Sequence, residues 1–224
     1  MKKQIALFIV VCLMVLSACS QTPQEEQLSA LTPPERDTGP FGVDVNINMD
    51  TIDDYLERPD VAYFDMRMFY DTADYESIGG VSKLTRTFPG YRIVPAPYLF
   101  NLGEMPVAGA YEGKTLFTIT WGEPMGTVID IKANYLESEV ILNEIFPKDK
   151  PIFLMCGGAG YTALTRGLLV NRGWDESKIY HTGGNWHYEG DKSLDLMVSG
   201  SDSVIATWRA NYAFIDFDNL TPVN

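Results

Sequence analysis

The sequence predicts an α/β fold: a doubly wound, mostly parallel sheet with helices on both faces, plus an inserted hairpin and a C-terminal extension. Two observations carry this expectation. Pro151 to Met155, PIFLM, is a continuous apolar run suited to a strand buried on both faces, and a small-residue loop and helical spacing follow it. Strand-like segments at 61–65, 91–94, 152–156 and 179–181 alternate with helical patterns near 51–57, 135–145 and 162–172, the order in which crossover helices join parallel strands.

At the N-terminus, Lys2 and Lys3 precede the apolar run Ile5 to Leu16. Its twelve residues fall short of the roughly 20 that a spanning helix needs, so it reads as an export signal. Leu16 to Cys19, LSAC, resembles the lipobox of bacterial lipoproteins. That resemblance implies removal of residues 1–18 and attachment of diacylglycerol, a palmitate-class lipid, at Cys19. Ser20 suits, by the same analogy, retention at an outer membrane or cell surface. An ordinary signal peptide cleaved after Ala18 is the alternative.

Residues 19–41 are rich in Ser, Gln, Thr, Pro and Glu, bury too little apolar surface to offset their ordering entropy, and read as a flexible tether. The folded part is expected over 42–224, roughly 180 residues and one domain. Loss of Lys2 and Lys3 takes the basic residues from 17 to 15 against 30 acidic ones, a formal charge near −15 that disfavours nucleic acid and anionic headgroups as partners. Cys12 leaves with the signal and Cys19 takes lipid. Cys156 is then the one thiol of the fold, with no partner for an internal disulfide.

Within the domain, the helix near 51–57 presents Ile52, Tyr55 and Leu56 on one face and stops at Pro59. Thr115 to Trp121 alternates Phe117, Ile119 and Trp121 against Thr118 and Thr120, as a strand with one apolar face does. It lies in the long segment 103–134, read as a hairpin that rims the site. The helix near 135–145 carries Leu136, Val140, Ile141 and Ile145 and ends before Pro147. The next carries Ala163, Leu164, Leu168 and Leu169, closed by Gly173. Tyr212 to Phe217 is expected as a closing edge strand.

Sites in such sheets lie at the carboxyl ends of strands, where Cys156 falls. Gly157, Gly158 and Gly160 leave the following loop without bulk, so backbone amides can turn inward beside a helix N-terminus. The loop is thus expected to hold an anion over the cysteine, or to favour a thiolate or persulfide without a cationic side chain. A buried, inert cysteine is the bland alternative.

Several separate pieces resemble the rhodanese family. Val61 to Arg67, VAYFDMR, looks like its apolar strand ending in Asp-x-Arg, and Ile93 to Ala96 sits where the family has a Pro-Gly-Ala turn. Lys150 to Cys156 matches the strand before the catalytic cysteine; Arg172, Gly173 and Trp174 match the end of the next helix. Ile179 and Tyr180 match the next short strand, and Gly183, Gly184 and Trp186 the closing Gly-Gly turn. The resemblance implies a sulfurtransferase in which Cys156 is catalytic, residues Gly157, Gly158, Ala159, Gly160, Tyr161 and Thr162 form the substrate loop, and no cofactor or metal is needed. Its partners would be a sulfane-sulfur donor and a thiol or other nucleophilic acceptor. Two departures narrow this: Ala159 stands in place of the family's glycine, and no arginine or lysine occupies the loop. Together with the acidic surface, they favour a protein or small-thiol persulfide over thiosulfate as donor.

Other residues have competing readings. Asp65 and Arg67 line the pocket or form an internal salt bridge. His181 and His187 lack a second cysteine and make a poor zinc site. Tyr161 covers the thiol or packs; Trp186 belongs to the core; Asp71, Asp74 and Glu76 face solvent. A catalytically silent rhodanese-like binding module is the alternative to the enzyme. A cysteine phosphatase is a third reading, disfavoured because Thr162 stands where an arginine would grip phosphate.

Overall fold

The computed structural model describes residues 28–69, 86–102, 113–196 and 210–223. The chain divides into two compact units at Thr32/Pro33, and every element below belongs to the second. The signal segment, Cys19, and Asp71, Asp74 and Glu76 lie outside the described residues. Among the described residues no helix is long and apolar enough to cross a membrane.

The fold is α/β around a five-stranded, fully parallel sheet. In chain order its strands are β1 (Ala62–Asp65), β3 (Tyr91–Ile93), β6 (Ile152–Cys156), β7 (Ile179–Gly184) and β9 (Asn211–Tyr212), arranged β7-β6-β1-β3-β9. Tyr63 stands opposite both Tyr91 and Phe153, and Phe153 opposite Tyr180, so one face of the sheet is a band of aromatic rings. Phe64, Met66, Ile152, Leu154 and Cys156 alternate onto the other face and enter the main apolar cluster. The continuous run PIFLMC needs both faces buried, and all five residues of β6 are.

The two long helices are α2 (Ser138–Ile145) and α3 (Gly160–Asn171), preceded by the single turn α1 (Ala96–Leu99). Leu142, Ile145 and Phe146 share one apolar cluster with Leu164, Leu168 and Leu169, so both long helices cover the same face. Helices were expected on both faces. Among the described residues the aromatic face instead receives a turn of 3₁₀-helix, Ile52–Asp54, with Tyr55 against Phe153, and Phe88 and Tyr188. The helix expected over 51–57 shrinks to that turn because Pro59 disfavours helical backbone at Arg58 and Glu57 takes a left-handed φ of 57°. Too few residues remain to offset helix nucleation.

The expected hairpin is present: β4 (Phe117–Gly122) pairs antiparallel with β5 (Thr127–Ala133), and Phe117 and Ile119 are buried while Thr118 and Thr120 are exposed. Its turn lies on α3 at Ala163 and Gly167. A Cβ on Gly167 would lie 1.8 Å from the Gly126 carbonyl oxygen, and one on Gly126 2.4 Å from the Ala163 oxygen, so the hairpin turn rests directly on the backbone of α3. A cavity of about 240 Å³ between them is lined by Met125, Arg166, Val170 and Glu176. A short antiparallel pair, β2 (Arg86–Thr87) with β8 (Leu194–Asp195), lies apart from the main sheet. The C-terminal edge strand is shorter than expected. Only Asn211 and Tyr212 pair, after which Phe217 packs on Tyr98 and Tyr135.

The compact unit also starts earlier than composition suggests. Arg36 bridges Asp44, the Asp37 N–H donates to the Val43 carbonyl, and Asp44 donates its N–H to the His181 carbonyl at 2.9 Å. Residues 36–44, expected partly as tether, form a strap along β7.

Candidate functional site

β6 ends at Cys156, whose side chain points into the α-helical face and is 2% exposed. Four residues later, at Gly160, α3 begins, with Ala159 as its N-cap and no side-chain cap bond. The first amides of a helix need an acceptor; the Tyr161 and Thr162 N–H groups and the Thr162 hydroxyl lie close enough to Cys156 to pull its thiol pKa down. That hydroxyl is buried and makes no hydrogen bond among the described residues. These donors favour a thiolate. Burial outweighs them and, with the negative charge of Asp65, pushes the Cys156 thiol above its ordinary range.

The glycines serve close approach more than inward-turned amides. A Cβ on Gly157 would lie 2.6 Å from the Trp186 indole, one on Gly158 3.1 Å from it, and one on Gly184 2.1 Å from the Gly157 oxygen. Trp186 therefore lies flat against the loop, donates its backbone N–H to Gly157 at 3.3 Å, and remains 38% exposed. It is a cover on the loop rather than the core residue expected. Tyr161 packs against the apolar cluster, and burial together with the Cys156 charge pushes its phenol up to about 12. Ala159 has φ 75°, the left-handed conformation for which glycine is the usual residue.

Asp65 and Arg67 form the internal pair rather than an open pocket wall. Arg67 donates to Asp65 through Nε at 2.8 Å and Nη2 at 2.5 Å, and its guanidinium also reaches the Arg86 carbonyl at 2.6 Å. Thr87 Oγ1 donates to the same carboxylate at 3.0 Å, and the cation sits 4.4 Å over the Phe69 ring. Asp65 is fully buried and Arg67 is 3% exposed, so their charges are committed to each other.

Sequence reasoning weighed His181 only as a metal ligand and passed over Asp44. His181, fully buried, places Nε2 3.1 Å from the Ala159 carbonyl oxygen, while the Gly183 N–H points at its Nδ1. Asp44, also fully buried, accepts from Arg36 and from the His181 backbone N–H, each at 2.7 Å. Its carboxyl is pushed up to about 6 by burial, against the opposing pull of Arg36. No local pattern announces either: 137 residues separate Asp44 from His181. His187 sits in the turn after β7, away from this contact, and no cluster of three His, Cys, Asp or Glu groups forms among the described residues.

Comparison with known proteins returned no match to a family model, to a curated protein or to a solved structure.

Proposed function

We propose that the chain is an exported, lipid-anchored, rhodanese-like sulfurtransferase that carries sulfane sulfur as a persulfide on Cys156. One observation supports it above the rest: the one free thiol among the described residues ends a buried strand at a helix mouth, beside the first residues of α3, Tyr161 and Thr162. A parallel α/β sheet with that cysteine at a strand's carboxyl end supports the reading, because sites in open α/β sheets lie there. In the first half-reaction the Cys156 thiolate attacks the outer sulfur of a persulfide donor. A Cys156 S–S bond forms, the donor's S–S bond breaks, and the donor departs as a thiol carrying the proton that Cys156 gave up. In the second, an acceptor thiolate attacks the outer sulfur and the Cys156 thiolate leaves. The helix-mouth amides stabilise negative charge on sulfur in both. With no cation in the loop, a protein or small-thiol persulfide is the donor class, and nucleic acid is not a partner. Cys19 carries the lipid and holds the domain at the outer membrane or cell surface.

Incubation with glutathione persulfide is expected to add the mass of one sulfur to Cys156, and the Cys156→Ser variant is expected to gain none. If neither that donor, thiosulfate nor mercaptopyruvate adds it, the enzyme reading fails.

The 2% exposure of Cys156 and the Trp186 ring over its loop favour a second reading, a catalytically silent binding module. In that case Cys156→Ser leaves the cellular phenotype intact; a phenotype lost with the thiol sinks it.

A further inference from the structure

The loop's geometry rests on His181, 22 positions further along the chain than Ala159. The Gly183 N–H donates to Nδ1 of His181 at 3.2 Å, so Nδ1 carries no proton. The remaining imidazole proton must then be on Nε2, 3.1 Å from the Ala159 carbonyl oxygen, where it can only be donated. That carbonyl also accepts the first hydrogen bond of α3, from the Ala163 N–H at 3.2 Å. Ala159 is the strained, left-handed N-cap, and no side chain caps the helix there. A residue in this conformation costs about 1–2 kcal/mol unless its surroundings hold it.

We propose that His181 is a positioning residue for Cys156: its Nε2–H holds the Ala159 carbonyl, fixing the left-handed turn that aims the Tyr161 and Thr162 amides at the sulfur. The surroundings keep the ring in the required neutral form. Burial, assisted by the Arg166 and Arg36 charges, pushes the imidazole down to about 3. The strap steadies the ring's backbone from the outer side, since the Asp44 carboxylate accepts the His181 N–H and is itself held by Arg36. The chain of contacts runs Arg36, Asp44, His181, Ala159, and ends at the start of α3, next to Cys156. The inference rests on the carrier reading of Cys156 for its function, but its geometry can be tested without sulfur transfer.

Three measurements on the full chain decide it. The ¹⁵N shifts of the wild-type His181 ring are expected to show Nε2 protonated and Nδ1 bare from about pH 5 to about pH 8; the opposite tautomer overturns the proposal whatever the variants do. The pH midpoint of Cys156 alkylation is expected to rise by about half a unit or more in His181→Leu, because the thiolate loses aligned donors. His181→Gln, which carries an amide N–H at the place of Nε2, is expected to return it toward the wild-type value. An unchanged or lowered midpoint in His181→Leu overturns the positioning role, as does failure of Gln to restore it. Should His181→Leu not fold, the tautomer and His181→Gln still decide. Sulfur loading from glutathione persulfide is expected to fall roughly tenfold in His181→Leu. Midpoints that respond while no protein gains sulfur leave the positioning role standing and remove the carrier reading. Loading that ignores His181, with an unmoved midpoint, does the reverse.

Discussion

At the scale of single residues, Ala159 is the position where the chain accepts strain. A methyl group at φ 75° is opposed by the carbonyl ahead of it, and the left-handed conformation is one that glycine enters freely. Ala159→Gly is therefore expected to stabilise the fold by roughly 0.5–1 kcal/mol after the extra unfolded-state entropy of glycine is subtracted, read as a higher urea midpoint. A lower midpoint would show that the methyl packing at this 5% exposed site matters more than the backbone. Asp44 carries the opposite kind of signature. Its carboxyl is held at about 6 in the fold against an ordinary 3.8, so the folded state binds the proton more tightly than the unfolded one. Its contribution is fully present below about 4 and is lost as pH climbs through 6, the reverse of most carboxylates. The unfolding free energy of wild type minus that of Asp44→Asn is expected to shrink by roughly 1 kcal/mol per pH unit across that window. A difference that stays flat from pH 4 to 6 would mean the Arg36 pair restores an ordinary acidity.

At the scale of elements, the strand, loop and helix around Cys156 were legible in the sequence, because an apolar run followed by glycines and an i, i+4 pattern admits few other arrangements. Observed bounds of Ile152–Cys156 and Gly160–Asn171 differ from expectation by two residues at most. The hairpin was legible as a strand with one apolar face, but its resting place was not. What sets it is the absence of side chains at Gly126 and Gly167, which reads as loop flexibility until the two backbones are seen in contact. The 51–57 helix failed because periodicity in so short a window says nothing about whether the turn can pay for nucleation before Pro59 ends it. The site was half legible. Cys156 and the amides after it follow from local spacing, whereas His181 and Asp44 act across the chain and leave no local trace. Gly167→Ala tests the hairpin contact: its Cβ would sit 1.8 Å from a backbone oxygen that has no rotamer to escape by. About 3 kcal/mol of destabilisation is expected, the upper end of ordinary overpacking, measured by denaturant unfolding. A change within about 0.5 kcal/mol would mean that the hairpin can lift from α3 at little cost.

At the scale of the whole molecule, the sheet has two ends and treats them differently. β9 is only two residues long, and such brevity offers little to a partner. β7 is six residues long, buried throughout and, among the described residues, the last strand on its side of the sheet. The strap answers this, for Arg36 donates to the Ile179 carbonyl at 3.0 Å while Asp44 occupies both the N–H and the carbonyl of His181. Groups that an edge would present to a second chain are thereby already taken. A chain starting at Val45 should self-associate relative to one starting at Pro33, where the compact unit begins, in analytical ultracentrifugation, and identical sedimentation of the two would deny the strap this role. Seen this way, residues 36–44 act as a guard rail on an otherwise adhesive border, and colloidal solubility becomes a property of a segment whose composition suggested nothing more than slack.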